Sequence, residues 1–96
     1  MKARLVQKSH DEFAGDILVE TVVWELPEAT KERPHRLKYR MYCGRGGRCL
    51  VRYDNETGKG DHRHYETGEE SYLFTSFVKL ADDFLTDVER LTGVRL

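Results

Sequence analysis

Two histidines, His62 and His64, sit two residues apart just after the turn-like run Gly58-Lys59-Gly60-Asp61. In an extended backbone that spacing puts both imidazoles on one face and Arg63 on the other. Histidine suits proton transfer in either direction because its ordinary pKa lies near neutrality. Metal-independent RNA cleavage needs a base for the 2′-hydroxyl, an acid for the leaving 5′-oxygen and cations for the charge that builds on phosphorus. Residues 52–64 offer a group for each role: His62 and His64 as base and acid, Lys59 and Arg63 at the phosphate, and Asp54 or Asp61 to orient an imidazole. Backbone amides of the glycine loop would add to the stabilisation. The alternative is a surface polar network that rigidifies a loop. A metal site would use His62 and His64 with Asp61 or His35, but one closely spaced pair without a clear third ligand is a weak signal, so no metal and no cofactor is expected. Gly58-Lys59-Gly60 lacks the spacing and the hydroxyl of a nucleotide-phosphate loop.

The elements that position this stretch are mostly strands. Residues 3–9 form a first strand, followed by a polar turn at Ser9-His10-Asp11-Glu12. Residues 17–26 are rich in β-branched side chains and apolar on both faces, which predicts a central strand covered twice and ended by Pro27. Residues 36–43 alternate, with Leu37, Tyr39, Met41 and Cys43 facing one way and Arg36, Lys38, Arg40 and Tyr42 the other. Residues 48–53 alternate as well, and the short loop centred on Arg45-Gly46-Gly47 between the two runs predicts a three-residue hairpin. Matching the apolar sets opposes Cys43 to Cys49, Met41 to Val51 and Tyr39 to Tyr53, which also sets Arg40 against Arg52. Facing cations disfavour the pair unless an anion covers them, so Arg36, Lys38, Arg40, Arg48 and Arg52 are candidate RNA-binding residues. Acids such as Asp54 or Glu25 on an ordinary solvated face would serve equally. Residues 65–70 read as a turn, and residues 71–74 add a short extended piece.

Thr75 or Ser76 then caps a helix in which Phe77, Leu80, Ala81, Phe84, Val88 and Leu91 recur at helical spacing. Asp82, Asp83, Asp87 and Glu89 occupy its other side, and Gly93 stops it. The fold class is α+β: a small antiparallel sheet of four to five strands, a β-meander, covered by one C-terminal amphipathic helix.

Ninety-six residues are expected to form a single domain. With 39% hydrophobic and 34% charged residues the chain is globular, and its net charge of −1 excludes wholesale basic character. Nucleic-acid binding would have to come from a local patch. No apolar run is long enough for a bilayer and no signal-peptide pattern follows Met1, so the expected location is the cytoplasm. Cys43 and Cys49 are too few for a disulfide framework and are expected to stay reduced.

These residues together resemble the TumE family of bacterial toxins from type II toxin–antitoxin pairs. The resemblance is carried by Val23-Trp24-Glu25, Lys38-Tyr39-Arg40-Met41, Tyr53-Asp54-Asn55, Gly58-Lys59-Gly60-Asp61-His62-Arg63-His64, and Tyr72-Leu73-Phe74-Thr75-Ser76 ahead of the acidic helix. It implies a growth-inhibiting toxin neutralised by a cognate antitoxin, typically of the helix-turn-helix type. Endoribonuclease activity is the leading expectation, by analogy with other small toxins. A non-catalytic RNA- or ribosome-binding inhibitor using the basic hairpin face is the alternative. A nucleotide or phosphoryl transferase would need paired acids for Mg²⁺, which are absent. A homodimer stays open.

Overall fold

The computed structural model describes residues 2–56 and 58–96. Six antiparallel strands follow one another across a single sheet in chain order: β1 (Arg4–Phe13), β2 (Ile17–Glu25), β3 (Leu37–Arg45), β4 (Arg48–Asp54), β5 (His62–Tyr65) and β6 (Gly68–Ser71). One helix, α1 (Phe77–Thr92), crosses one face. The meander and its covering helix agree with the expectation, with one strand more than the upper count. β1 runs on through Ser9-His10-Asp11-Glu12, the residues expected to turn, because each pairs with β2. The final strand lies at residues 68–71, not 71–74, after a two-residue turn at Glu66-Thr67.

Ser76 caps α1 by accepting a hydrogen bond from the Lys79 amide at 3.1 Å, and Gly93 ends it in the left-handed conformation. Its apolar side packs Leu80, Phe84 and Val88 against Val19, Val23, Tyr39, Met41, Cys43, Val51 and Tyr53, all nearly inaccessible. Asp87 belongs to this buried side and not to the solvent face. Its Oδ2 accepts from the Tyr53 hydroxyl at 2.6 Å and from the Tyr65 hydroxyl at 2.5 Å, so the carboxylate ties the helix to β4 and β5. Burial, followed by that bond to Asp87, pushes the Tyr53 phenol far above its ordinary pKa.

Among the described residues, no element covers the other face of the sheet. The second apolar side of β2 is therefore open, with Leu18 and Val22 half-buried and Trp24 37% exposed, a correction to the expected double covering. The β3–β4 register also differs from the one inferred. Met41 pairs with Tyr53, Cys43 with Val51 and Arg40 with Asp54. Arg52 stands opposite Tyr42, not Arg40, so an acid and an aromatic separate the cations. The cause is the turn. Arg45 pairs with Arg48, so the loop is not the expected three residues but two, Gly46 and Gly47, both at positive φ, and an irregularity at Cys43/Gly44 absorbs the extra residue of β4. Leu50 has no partner in that ladder and is buried, lining a hollow with Tyr65 and Leu91. Gly44 is required there: a Cβ would collide with the Tyr42 phenol and meet the Arg48 carbonyl oxygen at 2.9 Å. Cys43 and Cys49 are both free thiols, and the register sets Cys49 against Gly44 instead of Cys43.

Candidate active site on the open sheet face

Antiparallel partners share a face, so the register assembles the site directly. One row across the sheet holds Val22, Arg40, Asp54, His62 and Ser71; the next holds Glu20, Tyr42, Arg52, His64 and Glu69. His62 and His64 thus share the open face with Lys38, Arg40 and Arg52, as the two-residue spacing anticipates. Their rings meet edge to face, with centroids 5.1 Å apart at 75°.

Asp54 is the buried anchor, with its side chain 1% exposed. Its Oδ2 accepts from Arg52 Nε at 2.7 Å, while Oδ1 lies 2.6 Å from His62 Nε2. His62 Nδ1 is 2.9 Å from the Gly60 carbonyl oxygen, which only accepts, so Nδ1 carries a hydrogen. Nδ1 of this 5% exposed ring is therefore engaged by the protein, while Nε2 stands beside Asp54 Oδ1 without an aligned hydrogen bond to it. His64 is the more open of the two, at 23%. Asp54 needs its cationic neighbours, since a buried carboxylate without them would carry a large desolvation cost.

Glu69 was not legible as a site residue. All of β6 is exposed and polar, so only the Glu66-Thr67 turn, had it been recognised, would have set Glu69 opposite His64. Its Oε1 lies 3.5 Å from His62 Nε2 and its Oε2 3.6 Å from His64 Nε2. An acid and a base on one face, backed by cations, make an arrangement able to move protons at a phosphodiester.

The structure does not bring the remaining site candidates to this place. Arg63 projects to the helix face, where it donates to the Tyr53 hydroxyl at 3.1 Å and stands over the rings of Tyr53, Tyr65 and Tyr72. Burial works against its charge, but the Tyr53 hydrogen bond holds its pKa above the usual value. It fastens β5 to the core on the face opposite His62 and His64. Asp61 accepts from the Tyr39 hydroxyl at 2.6 Å and pairs with His35 Nε2 at 3.1 Å, so the imidazole it orients is His35. That pair lies apart from His62 and His64 and adds no third ligand to them. Lys59 is exposed in the loop beyond Asn55. Arg36 precedes β3 and donates to the Leu26 carbonyl, and Arg48 pairs with Glu66 at 2.8 Å beside the hairpin turn. Tyr39 and Tyr53 point inward as expected, 3% and 1% exposed, and cannot stack a base.

Asn55 explains the motif that follows β4. Its side chain accepts from the Tyr39 amide at 3.0 Å and donates to the Leu37 carbonyl at 2.7 Å, continuing the ladder where the backbone leaves it. This fixes the exit of β4 and hence the position of Asp54.

Among the described residues, no helix is long and apolar enough to cross a membrane. No curated protein and no solved structure matches the chain significantly. The sequence model of the family described as Toxin TumE matches residues 2–92. With nearly the whole chain matched, this protein belongs to the TumE family of toxins.

Proposed function

We propose that this toxin inhibits growth by cutting RNA on the open sheet face, without a metal ion, and that a cognate antitoxin, expected to carry a helix-turn-helix, silences it by covering that face. The observation that carries the reading is the pairing of His64 with Glu69 beside the buried Arg52–Asp54–His62 group. Glu69 takes the 2′-hydroxyl proton, the 2′-oxygen attacks phosphorus, and the bond to the 5′-oxygen breaks as that oxygen receives a proton from His64. The products are a 2′,3′-cyclic phosphate and a 5′-hydroxyl. Assigning the base to Glu69 departs from a histidine–histidine pair, because the His62 ring is 5% exposed whereas Glu69, at 43%, is open to a substrate. His62 is then a positioning residue that holds the His64 ring, while Arg52 and Arg40 place positive charge at the phosphate.

The exposed groove bordered by Trp24, Val22, Lys38 and Arg40 would receive the flanking nucleotide, with the indole as a stacking surface. The test compares purified wild type, His64→Ala and Glu69→Gln on RNA in EDTA. Each variant is expected to cleave about 100-fold or more slowly while keeping its RNA affinity within a few fold. Full cleavage by both variants would overturn the assignment, and growth inhibition without any cleavage by wild type would favour a toxin that acts by binding alone.

A further inference from the structure

We infer that the same face holds a site for one borderline divalent transition-metal ion, of the Zn²⁺ type, built by Asp54, His62 and His64 with Glu69 as a fourth ligand. The geometry points there for three reasons. One ligand atom from each of Asp54, His62 and His64 lies within 4.8 Å of the others, a spread that small side-chain rotations bring to the edge of about 3.3 Å in a tetrahedral zinc site. Asp54 Oδ1 and His64 Nε2 are buried atoms that make no aligned hydrogen bond among the described residues. Asp54 Oδ1 approaches His62 Nε2 to 2.6 Å without becoming its hydrogen-bond acceptor, which leaves that oxygen available to an ion.

The surrounding groups suit a metal as well. The hydrogen on His62 Nδ1 is held by the Gly60 carbonyl, which turns Nε2 toward the cluster, and Arg52 engages the other oxygen of Asp54. Two imidazoles with one or two carboxylates select Zn²⁺, Co²⁺ or Ni²⁺ over Mg²⁺ or Ca²⁺, which prefer all-oxygen shells. Glu69 has an oxygen within 3.6 Å of each ring and is exposed, so a small side-chain rotation brings it to the ion.

The ion would occupy the groups assigned above to proton transfer. Its consequence for activity, inhibition, rests on that reading; its binding does not. The test uses the tag-free full chain, stripped with EDTA and then dialysed free of it. Co²⁺ is titrated without RNA and followed by visible absorption, and Zn²⁺ stoichiometry is measured by equilibrium dialysis. The expected result is one ion per chain with the intense bands of four- or five-coordinate Co²⁺. His64→Ala should weaken binding at least about tenfold, with Glu69→Gln weakening it less. His10→Ala, at the separate exposed cluster with Glu12 and Glu20, should leave it unchanged. Both site variants change accessible side chains, and circular dichroism checks that they fold. Absence of stoichiometric binding, or equal affinity in His64→Ala, would overturn the site. Binding in a chain that never cleaves RNA would uphold the site and refute the cleavage reading, whereas cleavage that Zn²⁺ suppresses and EDTA restores supports both.

Discussion

Replacing Asp87 by alanine removes the one carboxylate that α1 shares with two strands. Tyr53 is 1% exposed, and its hydroxyl would lose a charged acceptor at 2.6 Å. A bond of that kind contributes about 1.5–3 kcal/mol. The Tyr65 bond at 2.5 Å is half-buried and adds about 1 kcal/mol more. Arg90, 57% exposed, pairs with the same carboxylate and contributes little, roughly 0–0.5 kcal/mol. The expected loss is therefore about 2.5–4.5 kcal/mol out of roughly 5–14 kcal/mol for a domain of this size. Urea unfolding followed by circular dichroism should show the midpoint falling by about 2–3 M at an unchanged slope. Tyr53→Phe alone should cost less, and the two substitutions together should cost less than their sum, because they delete the same bond. A loss below about 1 kcal/mol, or strictly additive costs, would refute the view that Asp87 pins the helix to the sheet.

Two further outcomes follow from the same geometry. Lys38→Ala and Arg40→Ala should weaken binding of a non-cleavable 2′-deoxy oligonucleotide and lower the salt dependence by roughly 0.7 per lost phosphate contact, with quenching of the single tryptophan, Trp24, as the readout; unchanged salt slopes would move the nucleic acid off this face. The phenols of Tyr39, Tyr53 and Tyr72 are all pushed upward, first by burial and then by hydrogen bonds to Asp61, Asp87 and Asp83 respectively. A pKa raised in the folded state gives stability that is complete below the unfolded value near 10 and is lost as pH rises above it. Unfolding midpoints should hold up to about pH 10 and then fall, with phenolate absorption at about 295 nm appearing together with unfolding; ionisation of these tyrosines near pH 10 in the folded chain would contradict their burial.

What the sequence made legible is what periodicity can carry. The Ser76 cap, the Gly93 stop and the alternation of Leu37, Tyr39, Met41 and Cys43 each follow from local chemistry, as does the shared face of His62 and His64. Register was not legible for a physical reason. Moving β4 by two residues leaves every side chain on its face, so alternation cannot tell Met41–Tyr53 from Met41–Val51. Only the positive φ of both Gly46 and Gly47 and the irregularity beside Gly44 decide it. That shift separates Arg40 from Arg52 and sets Asp54 between Arg40 and His62. Asp87 and Glu69 escaped for a related reason: a carboxylate on a helix or an edge strand looks like solvent-facing charge until its partners, two tyrosines or two histidines, are placed by the sheet.

In the proposed reaction Glu69 and His64 transfer protons at an RNA phosphodiester. The most direct measurement is the chemistry of the fragment ends left by purified wild-type toxin on total cellular RNA in EDTA. The expected ends are 2′,3′-cyclic phosphate and 5′-hydroxyl, produced by wild type and not by His64→Ala. Intact RNA from a chain that still arrests growth, or fragments bearing 5′-phosphate, would contradict it.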